Sequence, residues 1–281
     1  MAVDFRGHPM FGGGGFNSPT RFEADVYDCE VWGQIPSDIE GTFYRVQCDF
    51  AYVPPKNEWP SGFNGDGHVS AFRFANGSVD FKSRYVKTER LMTERKARKR
   101  LWGVYRNPYT DDPSVANIDR GAANTHIYWH GGKMLVLKED SLPYMIDPFS
   151  LETLGRWDFH GKWKATSMSA HPKIDPLTGE MIAYGYQAKG TLSTDIAVYT
   201  VNPQGHIVKE VWLKSPYLVH DVALGIDRVD RDVVGQVALR LIAVRDHLPR
   251  QRVDLRMRGH ARGRPLAVEI PAAERLERKR I

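Results

Sequence analysis

The strongest constraint on the fold is how often the chain turns. Between residues 22 and 220, short runs such as GTFYRVQCDFAYV, HVSAFRFANGSVDFKSRYVKTE, THIYWHGGKMLVLKEDSLPYMID and EMIAYGYQ mix aromatic and β-branched residues in rough alternation. That period of two is the pattern of strands with distinct faces. Asn76-Gly77 in FANGSVDF and Gly131-Gly132 in YWHGGKML separate such runs by two residues that accept positive φ, a hairpin signal. Asn202-Pro203-Gln204-Gly205 repeats the device in STDIAVYTVNPQGHIVKEVWLK. Many short antiparallel strands at this spacing predict an all-β sandwich, barrel or propeller. Only TERKARKRLWGVY has helical character, predicting one helix near Thr93–Leu101, with the charge run Glu94–Arg100 as its solvated face.

A chain of 281 residues with 42% hydrophobic and 26% charged residues reads as an ordinary soluble globular protein. No segment approaches the roughly 20 apolar residues that span a bilayer. The start, MAVDFRGHPMFGGGGFNSP, lacks the apolar centre of a signal peptide. With Cys29 and Cys48 as its two cysteines, the chain is expected to be cytoplasmic and without a disulfide framework. The net charge of +5 is unevenly spread. Residues 225–281 hold 14 Lys and Arg against 8 Asp and Glu, and none of the 31 aromatic residues. Two segments are therefore expected: residues 1–224, and an Arg-rich tail at 225–281. The tail fits a disordered arm, an amphipathic helix over VDRDVVGQVALRLIAVRDHL, or an out-of-frame translation of a GC-rich gene. Its charge is not interleaved with aromatics, which argues against nucleic-acid binding.

In SMSAHPKIDPLTGEM, Pro172 biases His171 toward extended backbone, and Asp175-Pro176 and Thr178-Gly179 are turn signals. His171 is thus expected at a strand end with its ring projecting. An imidazole there serves either as a metal ligand or as an ordinary surface or packed side chain. His220 in LVHDVAL reads likewise as a ligand or as a core histidine bonded to Asp221 or backbone.

Six stretches together carry a resemblance: GTFYRVQCDF (41–50), FNGDGHVSAFRF (63–74), VYRNPYTDDPSV (104–115), ANTHIYWHGGKMLVLKEDSLPYMIDPFSLETLG (123–155), SAHPKIDPLTGEMIAYGY (169–186) and SPYLVHDVAL (215–224). In this order they resemble the carotenoid cleavage oxygenase family, and more closely its stilbene-cleaving branch, the lignostilbene dioxygenases. The resemblance implies a seven-bladed β-propeller, of which this chain holds three to four blades, the C-terminal half being absent. It implies a non-haem Fe(II) ion held by four histidines. His171 matches the first and His220 the second; the third and fourth are expected beyond His220, and second-shell glutamates are implied to orient three of the four. His247 and His260 stand in no family context, and His8, His68, His126, His130, His160 and His206 match no ligand position. His68 follows the GDG turn, where a role lining the substrate entrance is conceivable.

Within the stilbene-cleaving branch, Tyr105 and Lys138 match residues that contact the substrate's phenolic hydroxyl, and Phe63 matches an aromatic that packs on its ring. The resemblance thus implies a dioxygenase that uses O2 to split the central C=C of a phenolic stilbene into two aromatic aldehydes, with iron and no organic cofactor. An apocarotenoid-cleaving dioxygenase and an inactive propeller fragment are the alternatives. A homodimer is possible on this reading. Without the resemblance, Tyr105 is a core aromatic and Lys138 a partner of Glu139 or Asp140.

Overall fold

The computed structural model describes residues 4, 5, 7, 8, 11, 19–57, 63–105, 107–215, 219–225 and 238–243. Their strands form three four-stranded antiparallel sheets and one two-stranded ribbon. The first sheet contains β1 (Ala24–Val26), β2 (Gly41–Asp49), β3 (Asp66–Ala75) and β4 (Ser78–Tyr85) in the order β1-β4-β3-β2. The second takes β5 (His126–His130), β6 (Lys133–Leu137), β7 (Tyr144–Ile146) and β8 (Thr153–Arg156) in chain order. The third runs β12-β11-β10-β9, from β9 (Lys173–Ile174), β10 (Met181–Tyr186), β11 (Asp195–Val201) and β12 (Ile207–Lys214). The ribbon pairs β13 (Val219–Gly225) with β14 (Ala238–Ala243). The expected hairpins form where the turn residues stand. Asn76 and Gly77 have φ of 51° and 77°, and Gly131 and Gly132 have 56° and 72°, the left-handed pair a two-residue hairpin requires.

The sheets stack face to face, and β6 shows how. Its five residues KMLVL are nearly continuously apolar because both faces are buried. Met134 and Val136 pack against Val69 and Ala71 of the first sheet. Leu135 and Leu137 pack against Met181, Ala183, Tyr199 and Val201 of the third. Trp163 stacks on Tyr199 with centroids 3.9 Å apart. Each fully buried Leu contributes roughly 1.5–3 kcal/mol, so the middle sheet holds its neighbours in place.

The helix α1 is Glu89–Ala97, starting four residues before the expected Thr93. Thr88 sets the start, its hydroxyl accepting from Leu91 N at 3.1 Å. Arg98, at φ 55°, ends it. The charge run is only partly solvated, in contrast to expectation. Lys96, Arg98 and Lys99 are exposed, but Glu94 is fully buried. It accepts from the backbone N–H groups of Leu101 (2.9 Å) and Trp102 (3.2 Å) and from Arg100 (3.2 Å). A glutamate followed by a chain reversal has buried donors within reach, which a charge count does not register.

Of residues 225–281, only Gly225 and 238–243 are described. The latter six form strand β14 where the helical reading placed a helix. A six-residue run such as ALRLIA is ambiguous between helix and strand, and β13 offers backbone partners. His247 and His260 lie outside the described residues. No described helix is long and apolar enough to cross a membrane.

Candidate metal and phenol site

The site begins with a turn. The backbone at Gly67 lies so close to the 122–123 segment that an added Cβ would meet the Ala123 carbonyl oxygen at 1.9 Å. Gly67 N donates to Ala122 O at 2.8 Å across that contact, so glycine is required by the close approach. The preceding residues are gripped from α1 and its exit. Buried Arg90 donates to Asn64 Oδ1 (2.8 Å) and Asn64 O (2.6 Å), and Arg100 donates to Asn64 O (2.7 Å). Asn64 Nδ2 in turn donates to Gly103 O at 2.7 Å, tying the turn to the loop that carries Tyr105.

Asn124 Nδ2 donates to Phe63 O (3.0 Å) and Gly65 O (2.6 Å). The Phe63 carbonyl also accepts from Lys138 Nζ at 2.8 Å. Lys138, the residue after β6, is 3% exposed. A buried ammonium needs compensation, and here a carbonyl and a ring supply it: Nζ lies 4.5 Å from the centroid of Tyr105. Tyr105 is buried, and Phe63 is half exposed with its ring 6.0 Å from that of Tyr105. The structure therefore brings Phe63, Tyr105 and Lys138 together. It does not show the strand-edge pairing of Lys138 with Glu139 or Asp140.

Glu139, the next residue, joins this group to the histidines. It accepts a short hydrogen bond from the Tyr105 hydroxyl on Oε1, and its Oε2 lies 3.0 Å from His220 Nδ1. A carboxylate only accepts, so Nδ1 carries the hydrogen, and in the neutral tautomer this leaves the Nε2 lone pair open. The His171 and His220 rings meet edge to face with centroids 4.7 Å apart. Lys173 bonds Asp221 at 2.9 and 3.0 Å, clamping the segment after His171 to the strand that carries His220. Asp221 is thus engaged by lysine, and His220 turns to Glu139. On the other side, the His171 backbone N–H is fixed by Ser169 Oγ at 3.1 Å.

His171 Nε2 is buried with no hydrogen-bond partner. Such a nitrogen is costly unless something binds it. Burial first, and then the neighbouring His220, hold His171 below the usual imidazole value, which favours the neutral form a metal takes. These two imidazoles fit a late first-row metal. Among the described residues, no group of three or more His, Cys, Asp or Glu side chains is placed to hold an ion.

The remaining histidines divide. His68 is buried, with Nε2 2.9 Å from Phe22 O, its ring edge-on to Tyr85 and its Nδ1 without a hydrogen-bond partner. His126 lies near the site, where burial and the proximity of His171 lower its pKa. A cavity of about 630 Å³ opens beside Glu139, lined by Trp102, Val115, Asp119, Ser167 and Tyr186. Its described lining includes neither histidine of the pair, nor Lys138, Tyr105 or Phe63. Glu139 is the residue sequence reasoning missed. Its signal was present: a carboxylate directly after the strand that delivers Lys138.

Residues 17–225 match the sequence family described as retinal pigment epithelial membrane protein (RPE65). The chain is similar to isoeugenol monooxygenase of Pseudomonas nitroreducens, 50% identical over 208 residues, covering 73% of this chain and 43% of that protein. It is similar to lignostilbene-alpha,beta-dioxygenase isozyme III of Sphingomonas paucimobilis, 47% identical over 73% of this chain and 42% of the relative. Among solved structures, lignostilbene dioxygenase of Pseudomonas brassicacearum superposes with a TM-score of 0.74 at 43% identity, covering 79% of this chain and 46% of that one. The chain spans less than half the length of the curated relatives it matches.

Proposed function

The chain belongs to the RPE65, or carotenoid oxygenase, family, and from that premise we propose that it serves the oxidative cleavage of a C=C bond conjugated to a 4-hydroxyphenyl ring. The observation that carries the reading is the pair His171 and His220, one with a buried unpartnered Nε2 and the other with its Nε2 freed by Glu139. On this reading the three sheets and the ribbon are blades of a β-propeller, and the two imidazoles are ligands of Fe(II). When bound, the iron supplies activation of O2 for cleavage of the double bond.

The chain's own residues explain why a phenol is the substrate. A phenol ionises near pH 10 in water. An ammonium within hydrogen-bond reach favours the phenolate, and its electron density is conjugated through the ring to the double bond. Lys138 provides that ammonium: its Nζ has three N–H donors, of which one is given to Phe63 O. Phe63, half exposed beside Tyr105, offers its ring face to the substrate's ring. Glu139 holds His220 in the tautomer whose Nε2 can coordinate.

Both relatives' names support a phenolic substrate, and isoeugenol, like a hydroxystilbene, carries a double bond conjugated to a phenol ring. The test is anaerobic loading of the purified chain with Fe(II), then addition of O2 and 4-hydroxystilbene or isoeugenol. The expected outcome is stoichiometric iron and aldehyde product, with the 4-methoxy stilbene turned over at least about tenfold more slowly, as loss of a charge-assisted hydrogen bond implies. Equal cleavage of a hydroxyl-free apocarotenoid overturns the phenol reading. Neither iron nor turnover overturns the enzyme reading and leaves an inactive fragment.

A further inference from the structure

Tyr105 has one hydroxyl hydrogen, and in this structure it goes to Glu139 Oε1. The other oxygen of the same carboxylate faces His220 Nδ1 at 3.0 Å. Glu139 is 6% exposed, so little water competes for either oxygen. The side chain of His220 is 49% exposed and has far less packing of its own to fix its ring. What orients His220 is therefore Glu139, and one of the bonds that hold Glu139 is the one from Tyr105. Tyr105 is itself well supported. Its loop is fixed by Gly103 N on Asp111 Oδ1 (2.9 Å) and Val104 N on Thr110 Oγ1 (2.8 Å). Its ring is covered by Lys138 Nζ at 4.5 Å.

We propose that Tyr105 is a positioning residue for the histidine pair, acting through Glu139 on the tautomer and orientation of His220. This rests on the reading of His220 as a metal ligand. A hydroxyl whose hydrogen is committed to a carboxylate can accept from a neutral phenol O–H but cannot also donate to a phenolate oxygen. Lys138 has N–H donors to spare.

The test uses the metal-free chain, so it stands apart from activity. Long-range proton–nitrogen spectra of the imidazoles report which ring nitrogen carries the hydrogen. His220 of the wild-type chain is expected to show hydrogen on Nδ1. In Tyr105→Phe, with circular dichroism showing the fold retained, the His220 signals are expected to shift toward the Nε2–H form or to average between the two. Lys138→Met is expected to leave them in place. In Glu139→Ala, adding Tyr105→Phe should produce no further change, since the link is already cut. As a second readout, cobalt(II) affinity is expected to fall about tenfold in Tyr105→Phe, the lower end of the loss that outer partners of metal ligands produce. Should Tyr105→Phe fail to fold, Tyr105→Leu removes the hydroxyl without adding a donor, and the same spectra apply.

An unchanged His220 tautomer in Tyr105→Phe overturns the proposal, as does an equal change in Lys138→Met. The functional reading fails separately: if the wild-type chain binds neither iron nor cobalt while the tautomer still responds to Tyr105→Phe, the positioning link stands and the metal assignment falls.

Discussion

Around the Phe63–Gly67 turn, Asn64 engages Arg90, Arg100 and Gly103 at once, and Asn124 holds two carbonyls. At the other end of the site, His171 keeps a buried nitrogen with no partner, and His220 stands half exposed between the Glu139 carboxylate and the edge of the His171 ring. The first region is a scaffold, in which Arg90, Arg100, Asn64 and Asn124 bind one another and nearby carbonyls, although Arg90 Nε and Asp66 Oδ1 within it lack hydrogen-bond partners. On the proposed reading the second is a receptor, in which imidazole nitrogens are held in position but left open. Because removing a partner from a buried network of charged hydrogen bonds costs far more than removing a group that had no partner, the two regions should answer mutation in opposite ways.

The largest contrast is expected from Arg90→Ala. It strips Asn64 of two hydrogen bonds and leaves Asp66, 4.0 Å from the Arg90 Nε, with less compensation. A loss of about 3–5 kcal/mol follows, read as a lower denaturant midpoint or no soluble chain. An unchanged midpoint breaks the comparison at its scaffold end. Next in size, Lys138→Met should leave the fold standing and remove most of the preference for a 4-hydroxyl over a 4-methoxyl stilbene, roughly 10- to 100-fold in kcat/KM, the worth of a hydrogen bond to a charged group.

His171→Leu tests the receptor end. It removes a buried nitrogen that has no partner, so thermal unfolding should occur at or slightly above the wild-type temperature while cobalt or iron binding is lost. A large drop in Tm would mean that His171 is structural and the contrast false. The smallest effect is in pH dependence. Burial raises Glu94 from 4.5 to about 7. The folded chain then binds that proton more tightly than the unfolded chain. Its contribution to stability is complete below about pH 4.5 and is lost as pH rises to about 7. Glu94→Gln, which cannot titrate, should flatten the Tm profile across that window. A profile of unchanged slope in the variant removes Glu94 as its source.

Much of the fold could be read from neighbours in the chain. Asn76-Gly77 and Gly131-Gly132 turn as expected because a two-residue hairpin demands positive φ, and that demand is met or not met at two positions. Helix α1 was misplaced because its charged residues suggested a solvated face, whereas Thr88 caps it earlier and Glu94 turns inward to donors from Leu101 and Trp102. In the site, His171 and His220 stood out through their motifs, and Lys138 and Tyr105 through their resemblance. Glu139 did not, because its neighbour Lys138 offered a local partner of opposite charge that the folded chain does not use.

The amino-acid order by itself determined the strands, the tight turns and the extended backbone at His171, since steric limits on φ and ψ act between adjacent residues. Only the tertiary structure decided that Glu139 takes His220 from 81 residues away and Tyr105 from 34, and that His171 Nε2 is left without a partner. Hydrogen bonds go to whichever donor packing brings within 3 Å or so, and packing is a property of the whole assembly of sheets.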